Sequence, residues 1–199
     1  MLPEKCIPHT LICVLLFSFA HLVEPSPVVK PDLYQEGIAQ RDSGNWQKAL
    51  KIWLAAKDST EESSKIDPRI GIAFIELVTR KQATDYYRQA SDMYFWGFRQ
   101  EDLKKHQKVV EEEIRRIAPL LTEKETKNWL KLLDKDDTKL NEKIKGFWIK
   151  KDPIPTSEIN ERLIEHWERI AHVKNKYAKK EANIYGTDDR GLVFVKYGA

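Results

Sequence analysis

Residues 37–56 read GIAQRDSGNWQKALKIWLAA, and residues 71–90 read GIAFIELVTRKQATDYYRQA. Laid side by side, Gly37, Ala49, Trp53 and Ala56 fall opposite Gly71, Ala83, Tyr87 and Ala90, each pair 34 residues apart. A fixed period of this size marks repetition of one supersecondary unit, here a pair of helices. The small residues stand where two helices approach closely, and the large aromatic fills the space between them. Gly44-Asn45-Trp46 supplies the turn inside the first unit, and Asp67-Pro68 opens the second, Pro being suited to the first turn of a helix. The match is incomplete. The first unit carries extra residues around Ser59–Lys65, the second has Val78-Thr79-Arg80 in place of the turn glycine, and Lys105 stands where a third copy would have its glycine. Two such pairs cannot bury their faces alone, so the helices that follow are expected to cap them.

The period and the residue types resemble those of the tetratricopeptide repeat. That resemblance implies stacked helical hairpins that bind a peptide or another protein on a concave face. A plain helical bundle with an accidental self-match remains the alternative.

Upstream, Lys5 precedes an apolar run that begins Leu11-Ile12-Cys13-Val14-Leu15-Leu16-Phe17 and continues to about Val23. A membrane span needs about 20 apolar residues, and this run is short for that. It fits the apolar region of a secretory signal, with Ser18-Phe19-Ala20 offering small residues for cleavage after Ala20. Glu24-Pro25-Ser26-Pro27 then breaks any helix. The expected organisation is a signal peptide at 1–20, a linker at 21–30, two repeats at 31–98, packing helices at 99–150 and a C-terminal module at 151–199. The exported protein would be periplasmic, outer-envelope or secreted, touching a membrane only through the signal segment. Cys13 lacks the small neighbour of a lipoprotein cysteine, Thr10-Leu11-Ile12 preceding it. An uncleaved anchor is the other alternative.

Both cysteines, Cys6 and Cys13, lie in the segment expected to be removed. A mature chain without cysteine forms no disulfide, carries no thiolate and holds no cysteine-based zinc. The net charge of +3 is too small to point to nucleic acid, since acidic residues are interspersed with the basic ones. Six Trp, seven Tyr and seven Phe supply material for a core, and eight Gly and nine Pro are too few for a turn-rich β-sandwich. The fold class expected is therefore mainly α.

Leu103, Val110, Ile114 and Ile117 form a helical stripe before Pro119. Thr122 and Glu125 make a capping-box pair. The helix they start carries Trp129, Leu132 and Leu133, and a further stripe is Leu140, Ile144, Phe147 and Trp148. Lys151-Asp152-Pro153-Ile154-Pro155-Thr156 is a rigid break. Thr156 or Ser157 is expected to cap the next helix, with Glu158 in its first turn. That helix should run to about Lys180, with Ile159, Leu163, Trp167, Ile170 and Tyr177 facing inward. Gly191-Leu192-Val193-Phe194-Val195-Lys196-Tyr197 is β-branched and aromatic and reads as one short terminal strand. A lone strand needs a partner, so it either pairs elsewhere or continues in a longer protein.

Phe147-Trp148, Asp152-Pro153, Pro155-Thr156, Asn160-Glu161, Arg169, Ala171, Tyr177, Asp189-Arg190-Gly191 and Tyr197-Gly198 together resemble the start of the GWxTD domain of bacterial exported proteins. Asp67-Pro68-Arg69-Ile70-Gly71 through Phe95-Trp96-Gly97 resembles the helical region that precedes that domain. The naming motif itself departs, with Tyr185-Gly186 in place of Gly-Trp and Asp188 in place of Thr. The resemblance implies a strand leading into a larger β-containing domain. It implies no activity, so the motif residues take no catalytic role from it.

No catalytic residue, metal ligand or cofactor emerges from the sequence. His166 and His172 are six apart on one helix, whereas metal pairs on a helix want a spacing of three or four. HExxH, P-loop, dinucleotide-binding and nucleophile-elbow motifs are missing. Two functions from different classes remain. One is an exported scaffold binding a protein or peptide through the repeat face. The other is an envelope enzyme or small-ligand domain, in which Asp189 and Arg190 would converge with Asn160, Glu161 or Arg169 in a concave pocket. The plainer account of Asp189-Arg190-Gly191 is a turn.

Overall fold

The computed structural model describes residues 32–58, 66–99, 103–179 and 183–198. The signal-like run, the Pro-rich break after it, both cysteines, His9, His21 and the Ser59–Lys65 insertion lie outside these residues. Nine α-helices follow one another among those described: α1 (Leu33–Asp42), α2 (Trp46–Asp58), α3 (Pro68–Arg80), α4 (Tyr87–Gly97), α5 (Gln107–Ile117), α6 (Glu123–Asp134), α7 (Lys139–Lys151), α8 (Glu161–Lys176) and α9 (Asp189–Tyr197). The fold is mainly α. None of these helices is long and apolar enough to cross a membrane.

Local chemistry sets the helix ends. Asp32 accepts N–H groups from Tyr34 and Gln35 at the start of α1. Asp67 accepts the Arg69 N–H at the start of α3, where Pro68 occupies the first turn. Thr122 and Glu125 form the capping box of α6, each side chain taking a backbone N–H of the other at 3.2 and 2.8 Å. Gly44 turns the first hairpin at φ +83°, and Gln82 carries the positive φ, 52°, in the second. That is how the second hairpin dispenses with a turn glycine.

The two hairpins are built alike, but the 34-residue period does not run through both of their helices. Gly37 and Gly71 hold matching places, each on the first helix and pressed against the second. A Cβ on Gly37 would stand 2.0 Å from the Nε1 of Trp53, and one on Gly71 would stand 2.5 Å from the Met93 carbonyl oxygen and 3.2 Å from the Tyr94 Cα. By position along the second helix the counterpart of Trp53 is therefore Tyr94 and not Tyr87, although the contacts differ: the Trp53 ring lies on Gly37, whereas the α4 backbone at Met93 and Tyr94 lies on Gly71. Ala90, Tyr94 and Gly97 are buried as Ala49, Trp53 and Ala56 are, at an offset of 41 residues. Counted from the glycine, α3 runs four residues further than α1, and the connection into α4 adds the other three of the seven. Ala83 lies in that connection, and Tyr87 is the first residue of α4, half-buried, its hydroxyl directed at Glu168.

Helix α3 is apolar on nearly every side, with Ile70, Ile72, Ala73, Phe74, Ile75, Leu77 and Val78 buried. A helix of that kind belongs in the middle of a molecule. It is flanked by α2, α4, α5 and α8. Helix α8 packs along it through Trp167 and Ile170, both about 1 % exposed, and Lys174 reaches Glu76 at 2.8 Å. Burial alone would raise the Glu76 carboxyl, but the Lys174 ammonium overrides it and holds it below its usual range.

Two expectations for the C-terminal module are corrected. Neither Thr156 nor Ser157 caps α8; Asn160 does, accepting the Leu163 N–H at 2.9 Å. The expected strand at 191–197 is the helix α9. Asp188 accepts N–H groups from Arg190 and Gly191 at its start, and Asp189 brings a negative charge to its positive first turn. Gly191 and Val195, one helical turn apart, are its buried residues, and α9 packs against α8. A cap and a packed face outweigh the weak strand preference of Val and Phe. The β-like pairing present among the described residues is a single bridge, Ala178 to Thr187.

Candidate functional site

Asn160 joins three helices. Its backbone N–H donates to the Ser91 hydroxyl on α4 at 3.1 Å, and its Nδ2 donates to the Trp148 carbonyl on α7 at 3.0 Å, while its Oδ1 caps α8. Beside this knot a cleft of about 480 Å³ opens between α4 and the connection from α7 to α8. Phe95, Ile149, Pro155 and Ile159 give it an apolar lining, and Arg88, Asp92, Asp152 and Glu158 surround them. Arg88 pairs with Glu158 at 2.9 Å, both side chains exposed, and Asp92 pairs with Lys57 of α2. Exposed pairs of this kind are worth at most about 1 kcal/mol and can re-form around a ligand.

Asp152 accepts the Ile154 N–H at 3.1 Å, which shapes the connection. Glu161 accepts the Ser157 hydroxyl at 2.6 Å. Their carboxyls act on each other. Burial and the neighbouring Glu161 raise Asp152 above its usual range, whereas the Ser157 hydroxyl keeps Glu161 below its own.

A second polar cluster lies inside the molecule, with only Arg116 partly exposed. The Tyr94 hydroxyl donates to Glu113 at 2.7 Å and accepts from the Trp148 Nε1 at 3.3 Å. Arg116 donates to the other oxygen of Glu113 and lies over the Trp167 ring. The Tyr185 hydroxyl donates to the Arg116 carbonyl at 2.6 Å. Burial, then the Glu113 carboxylate, pushes the Tyr94 hydroxyl well above its usual value. The His166 ring is packed between Trp148 and Tyr185 with both nitrogens buried and unpartnered. Burial, reinforced by Arg162, Arg116 and Arg169, holds His166 down at about 3, so it is neutral. Tyr94, Glu113, Trp148, His166 and Tyr185 have essentially no exposure. The cluster therefore joins helices and meets no solute.

The residues expected to converge in a C-terminal pocket do not meet. Asn160 and Glu161 stand at the start of α8, and Arg190 lies over Tyr177 just past its end. Sixteen residues of helix separate the two ends by about 24 Å. Arg169 pairs with Glu165 and reaches the Val195 carbonyl, tying α8 to α9. Arg190 is 73 % exposed and pairs with Asp188 at 2.6 Å. Asp189 and Arg190 border only a shallow surface depression with Val193 and Phe194. Among the described residues no group of His, Cys, Asp and Glu could hold a metal ion.

Sequence reasoning missed the cleft and the internal cluster. Glu113 sits within Glu111-Glu112-Glu113, where three adjacent carboxylates suggest a solvated face. The available signal was its place one residue before Ile114 on the buried stripe of α5. No family model, no curated protein and no solved structure matches this chain.

Proposed function

We propose that this chain is an exported docking module of tetratricopeptide-like helical hairpins, which holds a protein or peptide partner and carries out no chemistry of its own. The observation that carries it is the open cleft of about 480 Å³ beside the second hairpin, apolar within and charged around the edge. That size and mixture suit one or two side chains and a stretch of backbone. The close approach of the second helix to Gly37 in one hairpin and to Gly71 in the other supports the hairpin half of the proposal. Helix α8 lies along α3, so the partner is assigned to the cleft at α4 rather than to an inner face of the hairpins. The export half is supported by the apolar run and small residues before Glu24, and by the resemblance to GWxTD-domain proteins.

Immobilised mature protein should retain a specific partner from envelope extracts, and reversing Arg88→Glu together with Asp92→Lys should abolish retention. Equal retention by wild type and variant refutes the docking site. Mass spectrometry of the native N-terminus addresses export, and a chain still beginning at Met1 in the cytoplasm refutes it.

A further inference from the structure

We propose that the cleft at α4 receives an extended basic peptide segment, whose lysine or arginine reaches the Asp152 carboxylate while an adjacent aliphatic side chain lies on Phe95, Ile149 and Ile159. The inference rests on the docking reading above and specifies its partner.

The apolar part of the argument begins with Ile149. It is 49 % exposed on the last turn of α7 and lines the cleft. A large aliphatic side chain left in water on a concave surface marks a contact site more than a scattered surface residue does. Phe95, Pro155 and Ile159 extend the same surface inward.

Charge selects the occupant. Three carboxylates line the cleft, those of Asp92, Asp152 and Glu158, against one guanidinium, that of Arg88. Glu158 and Asp92 have cationic partners already, in Arg88 and Lys57. Asp152 has none among the described residues. Its partners are the backbone N–H groups of Ile154 and Glu161 and the Glu161 carboxyl, none of them a cation. The Oε2 atom of Glu161 is closed off from solvent, and the Glu161 carboxyl meets that of Asp152. Two neighbouring carboxyls without a cation repel one another once both ionise. A guanidinium or ammonium brought in by a ligand and donating to Asp152 offsets that repulsion. An acidic ligand meets the opposite field. An extended segment fits best because the cleft is open along one side, so the backbone on either side of the anchoring residues stays in solvent.

The test is selection from a random-peptide phage library on the full mature protein, run in parallel on the double variant Asp152→Asn, Glu161→Gln. Asn keeps the acceptor for the Ile154 N–H and Gln keeps the acceptor for the Ser157 hydroxyl, so the connection holds its shape; an unchanged thermal midpoint checks this. The expected result is enrichment of sequences pairing Lys or Arg with an aliphatic neighbour. Synthetic peptides of those sequences should bind the double variant about fivefold more weakly, the range of one partly exposed ion pair. They should also lose affinity on Ile149→Asp. Enriched peptides without a basic residue, or with equal affinity for the double variant, overturn the charge assignment and leave the docking reading standing. Peptides whose binding ignores both the double variant and Ile149→Asp bind elsewhere and overturn this inference together with the site. No enrichment on the wild type overturns both proposals.

Discussion

The indole nitrogen of Trp53 occupies the space that a side chain on residue 37 would need: a Cβ built on Gly37 stands 2.0 Å from it. The two helices of the first hairpin close on this contact. Gly37→Ala gains the helical preference of Ala, about 1 kcal/mol, but must push aside a fully buried ring, and overpacking of this kind costs about 1–3 kcal/mol. A net loss of stability is expected in urea denaturation. Gly146 on α7 is the control. Nothing lies within 4 Å of a Cβ there, so Gly146→Ala should raise stability by about 0.5–1 kcal/mol.

Tyr94 and Tyr87 separate the 41-residue correspondence from the 34-residue one. Tyr94→Phe removes the donor to buried Glu113 and the acceptor for Trp148, and should cost about 1–3 kcal/mol. Tyr87→Phe loses only a bond to exposed Glu168 and should cost less than about 0.5 kcal/mol. Equal midpoint shifts for the two variants would contradict the assigned equivalence.

His166 makes stability depend on pH. Its folded value is about 3 against an ordinary 6.5, so the unfolded chain takes up a proton that the folded site refuses. Stability is complete above pH 6.5 and should fall as the pH drops toward 3, by at most about 1.4 kcal/mol per unit. Glu76 and Glu165, both lowered by basic partners, add their own losses only in the carboxylate range. Urea midpoints between pH 7 and pH 5 therefore carry the histidine's contribution. His166→Phe should flatten that slope, and a slope that survives it would exclude His166 as the cause.

Asn160→Ala removes the α8 cap and the bond to the Trp148 carbonyl together. A loss of about 1–2 kcal/mol is expected. Thr156→Ala should change stability by less than about 0.5 kcal/mol, because that position is exposed and caps nothing.

The helical character and the stripes through Ile114, Trp129, Ile144 and Trp167 were legible in the sequence, because apolar spacing on a helix reports directly which face is buried. The capping box at Thr122 was legible for the same local reason. Tyr87 was mistaken for the partner of Trp53 because a period finds identical spacing, while α3 is longer than α1 and the turn after it is wider. Residues 191–197 were mistaken for a strand because Val and Phe favour extended backbone, and the deciding interactions, the Asp188 cap and the contact with α8, depend on tertiary placement. The cleft was illegible because α4, α7 and the 152–160 connection build it from residues far apart in the chain. Asn160 and Glu161, expected to converge with Asp189 and Arg190 in a pocket, instead hold the cleft wall in place.

Glu76 and Lys174 meet across 98 residues of chain. A ribosome making this protein therefore releases the apolar α3 long before the helix that covers it. Through that interval Ile70, Phe74 and their neighbours have only α2, α4 and α5 for shelter, and they present a sticky surface of the kind holding chaperones grasp. Folding of the nascent chain should complete late, when α8 emerges, and segment 68–79 should be the stretch on which chaperone contacts concentrate.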